Sequence, residues 1–279
     1  MRINTNVASL NAQESASLTT NRMQSSLEKL SSGLRINKAS DDASGLAIAD
    51  KLRTQATSIN QGIDNGNSAI ALLQIADKSM AEQSNILDTV KAKLIQANTA
   101  TTSSAGRNAI AADIAKLMTQ LDNIAKSTNY NGTQLISNSA GNAASTAMTF
   151  QVGEDSTNNA ISTTGINANS TGLGLNAYTS ISSIGAGSAA TAQGTVDTAI
   201  TTLNKYRGAI GSVQNQVESA VRNLMTQATN VKAAEAIIRD VDYAEESANF
   251  NKQNIISQAG AYAIAQSNAA QQNVLRLLQ

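Results

Sequence analysis

Ile59-Asn60-Gln61-Gly62-Ile63-Asp64-Asn65-Gly66-Asn67-Ser68-Ala69-Ile70 opens the stretch that decides the fold. The spacing of Ile59, Ile63, Gly66 and Ile70 continues through Leu73, Ala76, Met80, Leu87, Val90 and Leu94, almost throughout at steps of 3, 4 or 7. That is the period of a coiled-coil seam. The 279 residues contain no Pro, the residue that breaks helix interiors. The spacing predicts one long helix from residue 43 to about residue 100.

The same logic extends outward. Residues 101–106 (Thr-Thr-Ser-Ser-Ala-Gly) predict a loop. Ile110, Ile114, Leu117, Leu121 and Ile124 predict a shorter helix, ended by the turn Asn129-Tyr130-Asn131-Gly132. Residues 133 to about 190 are rich in Ser, Thr, Asn, Gly and Ala. Within them Met148–Val152 alternates as a strand and pairs with Ala160–Thr164 across residues 153–159. Helical spacing returns from 194 to about 238, through Val196, Ile200, Leu203, Ile210, Val213, Val217, Leu224 and Val231.

The two ends carry weaker stripes. Ile3, Val7 and Leu10 begin a helix to about residue 34, closed by Leu27, Leu30 and Leu34. After Asp240-Val241-Asp242 a last helix carries Ile255, Ile256, Ala259, Ala263 and Ala270 and ends Val274-Leu275-Arg276-Leu277-Leu278. Stripes this thin do not hold isolated helices in water, so both ends need a partner surface. Between the first two helices, Gly33 suits a helix end, and Ser40 or Asp41 suits the next N-cap. The expectation is a mainly α, elongated antiparallel bundle, with both termini paired at one end and a small β-hairpin region at the other.

Composition removes most chemistry. Twenty Lys+Arg balance twenty Asp+Glu, against the basic excess of a nucleic-acid binder. Without Cys or His there is no thiolate or imidazole metal site and no His-based triad. Asp41 and Asp42 fit helix capping better than a metal loop, because no oxygen-ligand cluster lies at calcium-loop spacing. Neither a cofactor, a metal nor a catalytic set is expected. No apolar run has the length of a signal peptide or a bilayer span, which predicts no membrane insertion and either a cytosolic protein or export without a cleaved hydrophobic signal. A neutral chain, 41% hydrophobic and only 14% charged, lacks a defence against self-association and suits a polymer subunit.

Several ordered motifs resemble bacterial flagellins. Leu30-Ser31-Ser32-Gly33-Leu34-Arg35-Ile36-Asn37 and Asp41-Asp42-Ala43-Ser44-Gly45-Leu46-Ala47-Ile48-Ala49 resemble the family's N-terminal motif. Thr128-Asn129-Tyr130-Asn131-Gly132 and Gln151-Val152-Gly153 follow it. Gly211-Ser212-Val213-Gln214-Asn215, Ile238-Arg239-Asp240-Val241-Asp242-Tyr243-Ala244-Glu245-Glu246 and Gln271-Gln272-Asn273-Val274-Leu275-Arg276-Leu277-Leu278 resemble its C-terminal region. The likeness covers roughly residues 1–153 and 194–279.

This resemblance implies a secreted, extracellular subunit of the flagellar filament. Such a subunit is exported unfolded by the type III route, polymerises with itself, and is not an enzyme. It implies an export chaperone, a cap protein and hook-junction proteins as partners. Residues 1–42 with 236–279 would form the inner-tube coiled coil, and 43–190 with 191–235 a helical rod with a hairpin. Residues of about 137–190 would be a short variable surface segment, with no separate outer domain. Inter-subunit packing would fall to Ile3, Val7, Leu10, Leu27, Leu30, Leu34, Ile255, Ile256, Ala259, Ala263, Val274, Leu275, Leu277 and Leu278.

Two departures stand out. In flagellins sensed by the innate Toll-like receptor, the segment resembling Leu87–Gln96 carries arginine at the place of Thr89, glutamate at Ala92 and leucine at Lys93. Leu87, Thr89, Lys91, Ala92 and Lys93 thus mark a receptor-facing segment that departs from the sensed pattern, which implies weak sensing, because threonine cannot replace the guanidinium fork. Gln271 stands where many relatives have Pro, which implies an unbroken last helix. The hydroxyls of Thr179, Ser180, Ser182, Ser183, Ser188 and Thr191 lie in the segment expected to face outward, where some flagellins carry O-glycans. The alternatives are a hook–filament junction protein, which shares the flagellin-like ends, and a secreted coiled-coil effector or adhesin.

Overall fold

A computed structural model describes residues 5–137, 145–155 and 159–277. Five helices account for most of them: α1 (Val7–Ser32), α2 (Ala43–Asn98), α3 (Ser104–Ser127), α4 (Ala186–Arg239) and α5 (Tyr243–Leu277). Four short strands intervene: β1 (Asn129–Tyr130), β2 (Thr133–Gln134), β3 (Thr149–Gln151) and β4 (Ala160–Ser162). The mainly α expectation holds, with two small antiparallel hairpins and one 3₁₀ turn at Asn176–Tyr178.

The chain divides into two compact units: one runs through Ala56 and resumes at Thr229, and the other is Thr57–Ala228. In the second, the seam read from the sequence is the core. Leu73, Ala76, Met80, Leu87, Val90 and Leu94 of α2 pack with Ile114, Met118 and Leu121 of α3 and Val196, Leu203 and Ile210 of α4, all buried. Apolar side chains at helical spacing gain most by this arrangement, at about 1.5–3 kcal/mol for each one fully buried. Arg207 binds Asp77 at 2.8 Å and Lys91 binds Asp197, tying α4 to α2 on the surface of that core.

The hairpins form where turn chemistry demands them. Asn131 and Gly132 have φ of 49° and 81°, the paired positive values of a type I′ turn, so β1 folds straight onto β2. β3 and β4 register Phe150 against Ile161, as the alternation predicts. The pairing then runs on past β4: Thr163 N donates to Met148 O (2.8 Å), Ser145 N to Ile166 O (2.7 Å) and Ala168 N to Ile136 O (2.8 Å). This ribbon lies against α2 at a notch of two glycines. A Cβ on Gly62 would stand 2.7 Å from the Val152 carbonyl oxygen, and one on Gly66 would stand 2.4 Å from Cγ2 of Val221 in α4.

One boundary differs from expectation. α4 starts at Ala186, earlier than the residue 194 that the larger apolar side chains indicate. Ala189 and Ala192 carry the buried stripe back from Val196 at steps of 3 and 4. Alanine is the strongest helix former and needs no large side chain to fill a tight seam.

A candidate assembly surface

The first unit is built on α1 and α5, which run antiparallel. Contacts at three levels fix the pairing. Asn6 Nδ2 donates to the carbonyl (3.3 Å) and hydroxyl (3.2 Å) of Ser267. Gly260 brings α5 so near α1 that a Cβ there would lie 3.7 Å from the Ala16 methyl. The αL cap Gly33 (φ 74°) faces Tyr243, whose Oη would be 2.9 Å from an added Cβ.

The covered face of α1 is a heptad of mostly small and polar residues: Ser9, Ala12, Ala16, Thr19, Met23, Ser26 and Leu30, of which Thr19 and Ser26 are fully buried. On α5 the half-buried positions step by 3 and 4 in the same way, through Phe250, Gln253, Ser257, Gly260, Ile264 and Ser267. Phe250 and Ile264 are the large apolar members of that face, and Ser257, Gly260 and Ser267 are its small ones. Thr19 can be buried because its hydroxyl donates to Ser15 O at 2.8 Å. Apolar spacing alone missed this seam. The signal that finds it is small residues recurring at steps of 3 and 4 along α1, matched by Ser257, Gly260 and Ser267 on α5.

The stripes read from apolar residues face the other way. Val7, Leu10, Leu18 and Leu27 are 52–58% exposed, and Ile255 is 68% exposed. Ile256, Ala259, Tyr262 and Ala263 are exposed as well, while Leu30 and Leu34 are half-buried. The helix pair therefore covers mainly small and polar side chains and presents much of its large apolar surface outward. Covering each exposed Leu or Ile would return about 1 kcal/mol, half the value for burying it from full exposure. α5 runs through Gln271 to Leu277 without a break, as the missing Pro implies. Ile3 and Leu278 lie outside the described residues, as do the side chains of Val274, Leu275 and Leu277.

The loop after α1 is held by its own polar groups. Asp41 Oδ2 accepts from the backbone N–H groups of Asn37 (3.1 Å) and Lys38 (3.0 Å). The Lys38 N–H above all holds the Asp41 carboxyl below its ordinary value. Lys38 in turn binds Glu28 at 2.7 Å, and that hydrogen bond raises its own pKa. The cap of α2 is Asp42, whose Oδ1 accepts from Gly45 N at 2.8 Å, rather than Ser40 or Asp41. Asp41 is occupied in the turn before it.

Among the residues of the receptor-facing segment, Leu87 is a packing residue: it is wholly buried in the core of the second unit. Thr89 and Ala92 are exposed, and the Thr89 hydroxyl donates back to Asn85 O at 2.9 Å. Lys91 and Lys93 are each paired, with Asp197 of α4 and with Asp113 of α3 (2.9 Å). Of the hydroxyl cluster, Ser180, Ser182 and Ser183 are exposed in the irregular segment before α4. Thr179 is half-buried and donates to Asn176 O at 2.8 Å, and Ser188 and Thr191 sit on α4 itself. Among the described residues there is no acidic cluster able to hold a metal ion, and no helix is long and apolar enough to cross a membrane.

Residues 3–141 match the model of the bacterial flagellin N-terminal helical region, and residues 194–278 match that of the C-terminal helical region. The chain is 34% identical to the flagellar filament 30.7 kDa core protein of Treponema maltophilum over 284 residues, covering 100% of both. It is 35% identical to the flagellin of Bacillus subtilis over 303 residues, again covering 100% of both. The crystal structure of Bacillus cereus flagellin aligns with a TM-score of 0.50 at 24% identity, over 62% of this chain and 94% of that one, a likeness of fold.

Proposed function

Because the chain belongs to the bacterial flagellin family, we propose how it does that family's work. It is a structural subunit of the flagellar filament, not an enzyme. The outward stripes of α1 and α5 are the surfaces on which neighbouring copies pack. One observation carries this reading: the helix pair covers mainly Ser, Ala, Gly and Thr and leaves Val7, Leu10, Leu18, Leu27, Ile255 and Ile256 uncovered. A seam of mostly small side chains yields little burial, so the pair is marginal alone and stable once its outer face is covered. A surface joined to a different patch on the next copy gives an open polymer rather than a closed ring.

The remaining assignments extend that reading. The subunit is exported unfolded, served by a chaperone, and added beneath a cap beyond the hook-junction proteins, outside the cell. The terminal helices form the inner layer and the remaining helices the rod. Thr89, Ala92 and the paired Lys91 and Lys93 form a poor surface for a receptor that needs an arginine fork and an apolar contact. A reporter cell answering this chain as strongly as a sensed flagellin would count against that. Sugar is carried, where present, on Ser180, Ser182 and Ser183, and an intact mass equal to the bare chain would remove it.

The deciding experiment seeds the soluble chain with filament fragments. Leu10→Ser and Ile255→Ser each change the stability of the soluble chain by no more than about 0.5 kcal/mol, as exposed substitutions do. Each raises the critical concentration for polymerisation about fivefold or more, the equivalent of about 1 kcal/mol per contact. Growth unaffected by both substitutions would exclude these stripes as the packing surface.

A further inference from the structure

The end of α1 and the end of α4 are joined as one piece. α4 stops at Arg239, which leaves carbonyls with no donor four residues on. The segment after α1 supplies the donors: Arg35 N–H reaches Arg239 O at 2.7 Å, and Arg35 Nη2 reaches Ile238 O at 2.7 Å. Val241 N returns a bond to Gly33 O at 3.0 Å, so Leu34 and Asp240 form an antiparallel bridge. Asp242 then caps α5 through Ala244 N at 2.8 Å. Neither helix break can bend without disturbing the other.

Beside this joint sits an ill-matched cation. The Arg239 side chain is only 18% exposed, and its Nε is buried with no hydrogen-bond partner. Its nearest carboxylate oxygen is Asp50 Oδ1, at 3.8 Å, and that same oxygen is held at 3.0 Å by Arg53, one turn along α2. Two guanidinium groups thus compete for one carboxylate oxygen, and the more buried one has the poorer share. A buried donor left without a partner is a reservoir of strain. It is relieved when Asp50 moves from Arg53 to Arg239, which requires the last turn of α4 to approach α2.

We propose that residues 33–42 and 238–243 form a single two-position joint, in which Asp50 bound to Arg53 marks one position and Asp50 bound to Arg239 marks the other. α1 and α5 are coupled through the bridge and move together relative to the adjoining turns of α2 and α4. The inference rests on the filament reading for its use: a subunit with two joint positions can fit two packings of the same outward stripes. Bistable packing of this kind, rather than continuous bending, is how close-packed structures switch.

The test uses the full chain, which contains no cysteine. Nitroxide labels go on Ala47→Cys in α2 and Ser247→Cys in α5, both exposed, and their separation is measured by electron–electron resonance. The same pair is placed in Arg53→Gln and in Arg239→Gln. The parent and Arg239→Gln should share a major distance, with Asp50 on Arg53. Arg53→Gln should shift most of the population to a second distance, seen as the minor component of the parent. One distribution common to all three backgrounds overturns the joint, as does a shift in the same direction in both variants. The labelled subunits are also diluted into filaments growing from seeds. A parent chain that cannot be incorporated counts against the filament reading, while the soluble distances still decide the joint.

Discussion

Asn6 and Ser267, 261 positions apart in the chain, form a reciprocal clasp between the first turn of α1 and the far part of α5. Asn6 Oδ1 caps α1 through Ser9 N at 3.1 Å, while Asn6 Nδ2 donates to the carbonyl and hydroxyl of Ser267. One side chain thus starts a helix and fixes the register of its partner. Asn6→Ala should cost about 1 kcal/mol and raise amide exchange at Ser9 about fivefold. Ser267→Ala removes the clasp and keeps the cap, so its effect should be smaller. In the double variant the losses should fall short of additive, because the two residues share a contact.

Gly66→Ala should destabilise the second unit by about 1–3 kcal/mol, the usual cost of overpacking a filled site. The added methyl would meet Val221 Cγ2 at 2.4 Å. Val221→Ala in the same chain should recover part of the loss, which denaturant midpoints would measure. At Gly62 the obstacle is the Val152 backbone, so Gly62→Ala should have no such rescue by trimming a side chain.

Asp122 holds the turn that closes the ribbon. Its two carboxylate oxygens accept from Ser170 N and Ser170 Oγ, each at 2.7 Å. Asp122→Ala should cost about 2 kcal/mol, in the range for hydrogen bonds to a charged group. Exchange at the Ser170 amide should rise, while amides in the middle of α2 should change only with global stability. Equal changes at both places would exclude a local pin.

Acid should loosen the loop at Asn37–Lys38 before it affects the core. The folded-state pKa of Asp41 is depressed from the ordinary 3.8, first by the Lys38 N–H. A depressed carboxylate contributes stability above its unfolded pKa and loses it as pH falls through the folded one. The amide resonances of Asn37 and Lys38 should therefore move together below about pH 4. They should be insensitive to that range in Asp41→Asn.

Much of this arrangement was legible in the residues because apolar burial dominates where it occurs. Leu73, Met80, Leu87, Leu94, Leu121 and Leu203 gain enough by burial that their 3–4 spacing predicts both helix and core. Asn131-Gly132 predicts its turn because few other pairs tolerate two positive φ values. The family motifs predicted where the breaks lie. Leu87 was legible as helix, and only packing turned it inward, away from any receptor-facing surface.

What the sequence by itself determined is the set of helices, the hairpin registers and the absence of thiol and imidazole chemistry, because periodicity, turn residues and composition are local properties. Only the tertiary structure decided which face of α1 meets α5. Spacing drew attention to Val7, Leu10 and Leu27, but the covered face centres on Ala12, Ala16, Thr19 and Ser26, since small side chains let two backbones approach and large ones do not. It also decided that Gly62 and Gly66 form a notch and that Arg35 completes the end of α4, across 203 positions of chain. Such relations depend on the approach of distant backbones, and no local pattern encodes that distance.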